Sequence, residues 1–162
     1  MIPPESKAKE LILLLKERHM TITAAESCTG GLIAAELVNI PGASDCLEAG
    51  FITYSDRIKS EVLGIESELI AVNTAVSAPV SALMAEGALR LSGADMALSS
   101  TGYAGPGGGT AAEPVGTVYI SCAEKGGETV TRRYSFAGDR SEVRRGAVFA
   151  ALELALERLK TL

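Results

Sequence analysis

Apolar residues recur along the chain at spacings that predict helices alternating with short strands. Residues 4–19 place leucines at helical intervals between an acidic start and a cationic end, a pattern typical of an amphipathic helix. Residues 21–25 form a β-branched and small-residue run, and residues 29–39 return to helical spacing before Pro41. Further strands are predicted at residues 47–54 and 96–100, and further helices at residues 56–63, 77–92 and 139–159.

Two β-rich runs near the C-terminus, residues 116–123 and 129–136, predict an antiparallel hairpin because a Lys-Gly-Gly-Glu turn separates them. Before this hairpin, strands alternate with helices, which favours parallel pairing with helices on both faces. The expected fold class is therefore α/β, a three-layer α/β/α arrangement whose mixed sheet includes the C-terminal hairpin. No repeat, low-complexity tract or linker interrupts the sequence, so residues 1–162 are expected to form a single domain.

Charge and hydropathy limit the classes of partner. The formal net charge of −5 lacks the basic balance of a nucleic-acid-binding protein, so no nucleic-acid partner is expected. No apolar run approaches the roughly 18–20 residues that cross a bilayer, and the N-terminus lacks a signal-peptide pattern. We therefore expect no membrane association and a cytoplasmic location.

Cysteine and histidine are scarce in this sequence. Cys28, Cys46 and Cys122 form an odd, widely spaced set, which favours free thiols in a reducing compartment over a disulfide framework. His19, the one histidine, lies at the end of the first predicted helix, where a cation is favourable. A single histidine cannot build a His-rich metal site, and no metal is expected.

The stretch Ala-Glu-Ser-Cys-Thr-Gly-Gly lies where a predicted strand leads into a predicted helix. Ligands of open α/β sheets bind at such strand ends, and the N–H groups of the first helical turn hold anions. Ser27 is a candidate nucleophile, with the N–H groups of Cys28, Thr29 and Gly30 as oxyanion donors. Ser27 or Thr29 could instead cap the helix. Cys28 is a second candidate nucleophile, since a helix N-terminus lowers a thiol pKa, but no histidine lies nearby in sequence to pair with it.

A second cluster follows the next strand. Tyr54 and Ser55 end the predicted strand, and Lys59 comes one helical turn later, on the same face as Ser55. Lys59 could therefore reach back toward the strand ends and act beside Ser27. The alternative is a solvated lysine that pairs with Asp56 or Ser55.

A glycine-rich loop follows the third predicted strand. Its successive N–H groups can form an anion-binding nest, although it matches neither a Walker A loop nor Gly-x-Gly-x-x-Gly. The alternative is a mobile turn. Arg140, at the start of the last helix, suits a phosphate or carboxylate, or a salt bridge at the helix start. The candidate binding residues are Ser55, Thr101, Gly102, Gly105, Gly107, Gly108 and Arg140. Three strand-end loops with polar chemistry predict a site for a phosphorylated small molecule.

Five stretches occur in the order of a known family: AESCTGG (25–31), TYSDRIKSEVLG (53–64), TGYAGPGGG (101–109), EPVGTVY (113–119) and GDRSEVR (138–144). Together they resemble the C-terminal domain of the competence/damage-inducible CinA family over essentially the whole chain. The resemblance implies nicotinamide-nucleotide amidohydrolase activity, which converts nicotinamide mononucleotide to nicotinate mononucleotide and ammonia in pyridine-nucleotide salvage. It also implies that no cofactor or metal is needed and that the protein is a homo-oligomer, with a homodimer favoured.

By this resemblance Ser27 is the nucleophile, Lys59 is the base and Tyr54 lies beside them. Arg140 binds the phosphate or joins the catalytic network. A lysine that acts as a base near neutral pH needs a lowered pKa, which burial or a neighbouring cation such as Arg57 or Arg140 could provide. Alternatively, Tyr54 relays the proton while Lys59 stays charged.

The sequence departs from the family pattern at Asp56, where asparagine is usual, at Glu113, often lysine, and at Tyr103, more often isoleucine. These three differences bear on which substrate the protein prefers and not on the nucleophile and lysine positions, which match the family. Two other functions stay open: a non-catalytic nucleotide-binding sensor, and an amidase that acts on another amide.

Overall fold

Five strands form one mixed sheet within residues 4–162, the part of the chain that the computed structural model describes. The first three residues of the expected domain lie outside this range. The strands are β1 Ile22–Glu26, β2 Leu47–Ile52, β3 Met96–Gly102, β4 Thr117–Glu124 and β5 Thr129–Ser135. The α-helices are α1 Pro4–Glu17, α2 Leu32–Val38, α3 Asp56–Leu63, α4 Ser67–Asn73, α5 Ala78–Ser92 and α6 Arg140–Thr161.

The strands lie in the order β2-β1-β3-β4-β5. β1 pairs in parallel with both β2 and β3, whereas β4 pairs antiparallel with β3 and with β5. The parallel half corresponds to the alternating strands and helices, and the antiparallel half is the predicted hairpin. The mixed sheet is therefore confirmed.

Successive side chains of each strand enter different cores because they point to opposite faces of the sheet. Ala24 of β1 and Leu98 of β3 join a buried cluster with residues of α1, α2 and α6. Ala25 and Ala97, their neighbours in sequence, join a second cluster with residues of α3, α4 and α5. Helices thus cover both faces, and the predicted three-layer α/β/α fold is confirmed.

The carboxyl ends of the three parallel strands meet at one edge of the sheet. Glu26, the last residue of β1, pairs with Ile52 of β2 and with Ser100 of β3. Beyond the strand, the Ser27 N–H donates to the Ser100 carbonyl at 2.9 Å, and the Thr53 N–H donates to the Glu26 carbonyl at 2.9 Å. The segments that follow β1, β2 and β3 therefore converge.

The first predicted helix ends earlier than its charge pattern indicated. α1 stops at Glu17, and His19 takes a left-handed conformation with φ 54°. The His19 N–H donates to the Lys16 carbonyl at 3.1 Å, and the Met20 N–H donates to the Leu15 carbonyl at 2.9 Å. These two bonds form a Schellman motif, so His19 lies just past the helix rather than in its last turn.

Two strand ends and one helix also differ from the prediction. β2 stops at Ile52, two residues before the predicted end of that strand, so Tyr54 and Ser55 lie beyond it. β3 continues to Gly102, two residues beyond the predicted end of that strand. α4 was not predicted, because Ser67–Asn73 is only seven residues long and buries a single apolar side chain, Ile70. Such a short segment shows no helical periodicity. The predicted end of α3 is confirmed, since Gly64 takes φ 70° directly after Leu63.

None of the helices in the described range is long and apolar enough to span a bilayer. Among the same residues, no three His, Cys, Asp or Glu side chains are grouped so that they could hold a metal ion.

Candidate active site

The amine of Lys59 is buried at the edge where the parallel strands end. Ser55 caps α3, since its hydroxyl accepts the Ile58 N–H at 3.3 Å, and Lys59 is the fourth residue of this helix. Lys59 is only 1% exposed. Its Nζ donates to Ser27 Oγ at 3.2 Å and to the Tyr54 carbonyl at 2.9 Å. Lys59 therefore reaches back to Ser27, and it is not a solvated lysine.

Burial lowers the pKa of Lys59, because the low-polarity surroundings disfavour the charged ammonium. The carboxylate of Asp56 acts in the opposite direction and raises this pKa. No carboxylate forms a salt bridge with Lys59 anywhere in residues 4–162. Arg57, which we considered as the cation that lowers the pKa, pairs with Glu61 on the surface at 2.6 Å. Burial, rather than an arginine, is the cause.

Ser27 sits in a tight turn after β1 and is 9% exposed. Its N–H donates to the Ser100 carbonyl, and its own carbonyl accepts the Gly30 N–H at 3.1 Å. Within the described residues, the hydroxyl's one hydrogen-bonding partner is Lys59. The Ser27 hydroxyl therefore faces the amine and is not bonded to the helix that follows.

The buried carboxylate of Glu26 accepts the N–H groups at the start of α2. Its oxygens accept from Gly31 at 3.0 Å, Ile33 at 3.0 Å and Ala34 at 2.9 Å. The Thr29 hydroxyl also donates to Glu26, at 2.5 Å. The interpretation of Ser27 or Thr29 as the helix cap is therefore wrong.

α2 begins at Leu32 rather than at the predicted residue 29. Gly30 and Gly31 take φ values of 58° and 99°, which a right-handed helix does not contain. Residues 27–30 instead form a turn in which the N–H groups of Cys28 and Thr29 bond to no other residue of the described chain. Of the three candidate oxyanion donors, the Gly30 N–H already donates to Ser27, which leaves Cys28 and Thr29 available.

The thiol of Cys28 is buried, and burial raises its pKa to about 11. The prediction that a helix N-terminus lowers this pKa is therefore wrong. Glu26 occupies the N–H groups at the start of α2, and desolvation of the buried thiol is the largest effect on its pKa. Cys28 therefore stays protonated near neutral pH. Nucleophilic attack would require its thiolate, so Cys28 is not suited to be the nucleophile.

Arg140 connects the glycine-rich loop to Tyr54, in the segment between β2 and α3. Its Nη1 donates to the Gly105 carbonyl at 2.7 Å, and its Nη2 donates to the Tyr54 hydroxyl at 3.2 Å. In the same loop, the N–H groups of Gly107 and Gly108 bond to no other residue within 4–162. These donors lie in an exposed stretch.

Three candidate binding residues have structural contacts instead of free polar groups. The buried Thr101 hydroxyl donates to the Ala75 carbonyl at 2.8 Å. Gly102 belongs to β3, and a Cβ there would lie 2.6 Å from the Thr117 carbonyl oxygen, so close strand packing explains this glycine. Ser55 uses its hydroxyl as the α3 cap.

The sequence model of the CinA C-terminal domain matches residues 4–159. The chain belongs to this family. Nicotinamide-nucleotide amidohydrolase PncC of Escherichia coli K12 is 48% identical over 139 residues, which cover 86% of this chain and 84% of that relative. A CinA-like protein of Akkermansia muciniphila is 47% identical over 140 residues, and the chain spans only 34% of its length.

Solved CinA-family structures share the fold. A competence/damage-inducible protein from Agrobacterium tumefaciens superposes with a TM-score of 0.94 at 37% identity, covering 99% of this chain and 98% of that one. A CinA superfamily protein from Klebsiella pneumoniae reaches a TM-score of 0.95 at 35% identity, covering 99% and 100% of the two chains.

Glu26 and Arg144, neither of them among the candidate residues predicted from sequence, hold the turn of this CinA domain around Ser27. Glu26 directly precedes Ser27. Its position shortly before a predicted helix was the sequence signal for this role, because a carboxylate is favourable near a helix N-terminus. Arg144 donates from Nε to the Cys28 carbonyl at 3.0 Å and from Nη2 to the Thr29 carbonyl at 3.0 Å. Its spacing of four residues from Arg140 puts both arginines on one face of α6.

Glu113, one of the departures from the CinA pattern, is paired with residues of the β4–β5 hairpin. Its carboxylate accepts the Tyr119 hydroxyl at 2.5 Å and Arg133 Nε at 3.0 Å. The hydrogen bond from Tyr119, followed by the contact with Arg133, lowers the pKa of Glu113. The negative charge at this position is therefore matched by Arg133.

Proposed function

We propose that this chain is an amidohydrolase that releases ammonia from nicotinamide mononucleotide, with Ser27 as nucleophile and Lys59 as base. The observation that carries the proposal is the 3.2 Å contact between the buried Lys59 Nζ and Ser27 Oγ. The E. coli relative named nicotinamide-nucleotide amidohydrolase, at 48% identity, supports the substrate. A serine next to a base whose pKa is lowered is the arrangement that nucleophilic catalysis requires.

In the first step, neutral Lys59 accepts the proton of Ser27 Oγ while this oxygen attacks the carboxamide carbon. The carbonyl oxygen becomes an oxyanion in a tetrahedral intermediate. The N–H groups of Cys28 and Thr29, which have no partner in the described chain, are the donors placed next to the nucleophile. A backbone N–H of the residue after the nucleophile is a common oxyanion donor in serine hydrolases.

In the second step, Lys59 returns the proton to the departing amine, and the C–N bond breaks to release ammonia and leave an acyl-enzyme. Water then attacks the ester carbon, gives a proton to Lys59, and displaces Ser27, which takes this proton back. The net reaction consumes one water and gives the nucleotide acid and ammonia.

Lys59, rather than Tyr54, is our choice for the group that takes the serine proton. Nζ contacts Ser27 Oγ directly, whereas the Tyr54 hydroxyl contacts Arg140, and only the Tyr54 carbonyl contacts Lys59. The lowered pKa of Lys59 also favours the neutral amine that a base requires.

The phosphate of the substrate is assigned to Arg140 and the glycine-rich loop. Arg140 uses two of its five N–H donors on Gly105 and Tyr54, which holds the guanidinium in place and leaves donors for an anion. The N–H groups of Gly107 and Gly108, which have no partner among residues 4–162, suit the same role.

The test is ammonia release from nicotinamide mononucleotide by the full chain, run beside nicotinamide, nicotinamide riboside and glutamine. Turnover of the mononucleotide alone supports both the amidohydrolase and the phosphate site. Binding of the mononucleotide without turnover by a folded protein supports a nucleotide sensor instead, and turnover of another amide supports a different amidase. The homodimer stays a prediction, which sedimentation of the same sample tests.

A further inference from the structure

Arg144 reaches from α6 to the turn that carries Ser27 and donates to two successive carbonyls there. Nε lies 3.0 Å from the Cys28 oxygen, and Nη2 lies 3.0 Å from the Thr29 oxygen. Glycine at position 30 fits this contact, because a Cβ there would lie 3.3 Å from Arg144 Nη2. The side chain thus holds the backbone of the turn rather than a carboxylate.

The orientation of one carbonyl fixes the orientation of the next N–H group. In a trans peptide the C=O and N–H bonds are coplanar and point in opposite directions. The Cys28–Thr29 peptide is trans, and Arg144 holds its carbonyl. The Thr29 N–H therefore points away from Arg144, and it bonds to no other residue in the described part of the chain.

The other contacts of the turn leave this peptide dependent on Arg144. The Ser27 carbonyl is held by the Gly30 N–H, and the Thr29 hydroxyl is held by Glu26. The Cys28 carbonyl, by contrast, accepts only from Arg144 among the residues described. Without the guanidinium, this carbonyl has no partner to keep the peptide plane in its orientation.

We propose that Arg144 is a positioning residue that holds the Thr29 N–H as an oxyanion donor beside Ser27. Arg144 contacts no reacting atom, and it acts through the Cys28–Thr29 peptide. The inference rests on the proposed function, since it needs an oxyanion at Ser27. A bidentate guanidinium suits this role because its fixed fork matches two adjacent oxygens, which a lysine ammonium cannot do.

The experiment compares Arg144→Ala and Arg144→Lys with Arg145→Ala, the matched control, since Arg145 is the exposed neighbour on α6. The full chain is assayed for ammonia release from nicotinamide mononucleotide and from its thioamide analogue. Loss of one oxyanion donor lowers kcat by about 10²–10³-fold, so we expect Arg144→Ala to lower kcat by at least about tenfold. We expect KM to stay within about threefold, because the lost interaction forms only in the transition state.

The thioamide separates positioning from a general loss of structure. Sulfur is a weak hydrogen-bond acceptor, so a thioamide gains less than an amide from a correctly aimed N–H. Arg144→Ala is therefore expected to lose more activity on the amide than on the thioamide, and Arg144→Lys is expected to fall between it and wild type. Arg145→Ala should match wild type on both substrates. Thermal unfolding of each variant identifies the folded fraction, and Arg144→Lys keeps the charge and the aliphatic stem if the alanine variant is unstable.

Equal losses on the two substrates, or an unchanged kcat in both Arg144 variants, would overturn the inference and leave the proposed function standing. Absence of ammonia release from the mononucleotide by wild type would overturn the proposed function, and the inference with it.

Discussion

Lys59 Nζ lies 3.2 Å from Ser27 Oγ, and both groups are buried where β1 and β2 end. Nothing in the described chain neutralises the amine through a salt bridge, and burial lowers its pKa. Burial disfavours the ammonium, which only donates, and so makes the neutral amine, which accepts a proton, easier to form than in a solvated lysine. This pairing is the basis of the proposed chemistry.

Asp56→Asn should move the acid limb of the kcat/KM profile to lower pH. The Asp56 carboxylate raises the pKa of Lys59, so its removal favours the neutral amine. The base then becomes available at a lower pH, and the variant should be faster than wild type on the acid limb. Ammonia release measured across pH for wild type, Asp56→Asn and the control Glu61→Gln tests this. A limb that stays in place or moves to higher pH contradicts the assignment of Lys59 as the base.

Tyr54→Phe should keep most of kcat. The hydroxyl contacts Arg140 and not Ser27 or Lys59, while the carbonyl that holds Lys59 belongs to the backbone and survives the change. A general base contributes about 10²–10⁴-fold, so a loss of that size would show that Tyr54 relays the proton. We expect less than about a tenfold loss in kcat, with the larger effect on KM through Arg140. Steady-state kinetics with nicotinamide mononucleotide separates the effect on kcat from the effect on KM.

Glu26→Ala should destabilise the fold strongly. The change leaves the buried N–H of Ile33 and the partly buried N–H groups of Gly31 and Ala34 without their acceptor. An unsatisfied buried group costs about 1–3 kcal/mol. We expect the free energy of unfolding to fall by about 3 kcal/mol or more, and by less in Glu26→Gln, which keeps one acceptor oxygen. Urea unfolding measures this. The control is Glu36→Ala, in α2. If Glu26→Ala lowers the free energy of unfolding no more than Glu36→Ala does, the capping role of the Glu26 carboxylate is refuted.

The fold was predictable because its signals are local. Helical spacing in residues 77–92 and the glycine turn between residues 123 and 129 each appear within one segment of sequence. The convergence of Ser27 and Lys59 also followed from sequence, because both come after strands of a parallel sheet, whose carboxyl ends share an edge. α4 was not predicted because its seven residues are too few to show the helical spacing of apolar side chains.

The remaining parts of the site depend on contacts between distant segments or on burial, which residue order does not reveal. Arg144 meets Cys28 only when α6 packs beside the turn after β1. The pKa of Cys28 rises because the folded chain excludes water from the thiol, whereas sequence showed only a helix start that would lower it. Glu26 had a visible position, but a strand-end carboxylate that caps a helix beginning six residues later follows no standard capping spacing.

The central claim is that Ser27 is the nucleophile, and the most direct measurement is ammonia release from nicotinamide mononucleotide by Ser27→Ala. The control is Ser44→Ala, which removes an exposed hydroxyl elsewhere. With both variants folded, we predict that Ser27→Ala lowers kcat by about 10³-fold or more, because removing one member of a catalytic unit costs nearly as much as removing all of them. Ser44→Ala should match wild type. Ammonia release by Ser27→Ala at close to the wild-type rate would contradict the account.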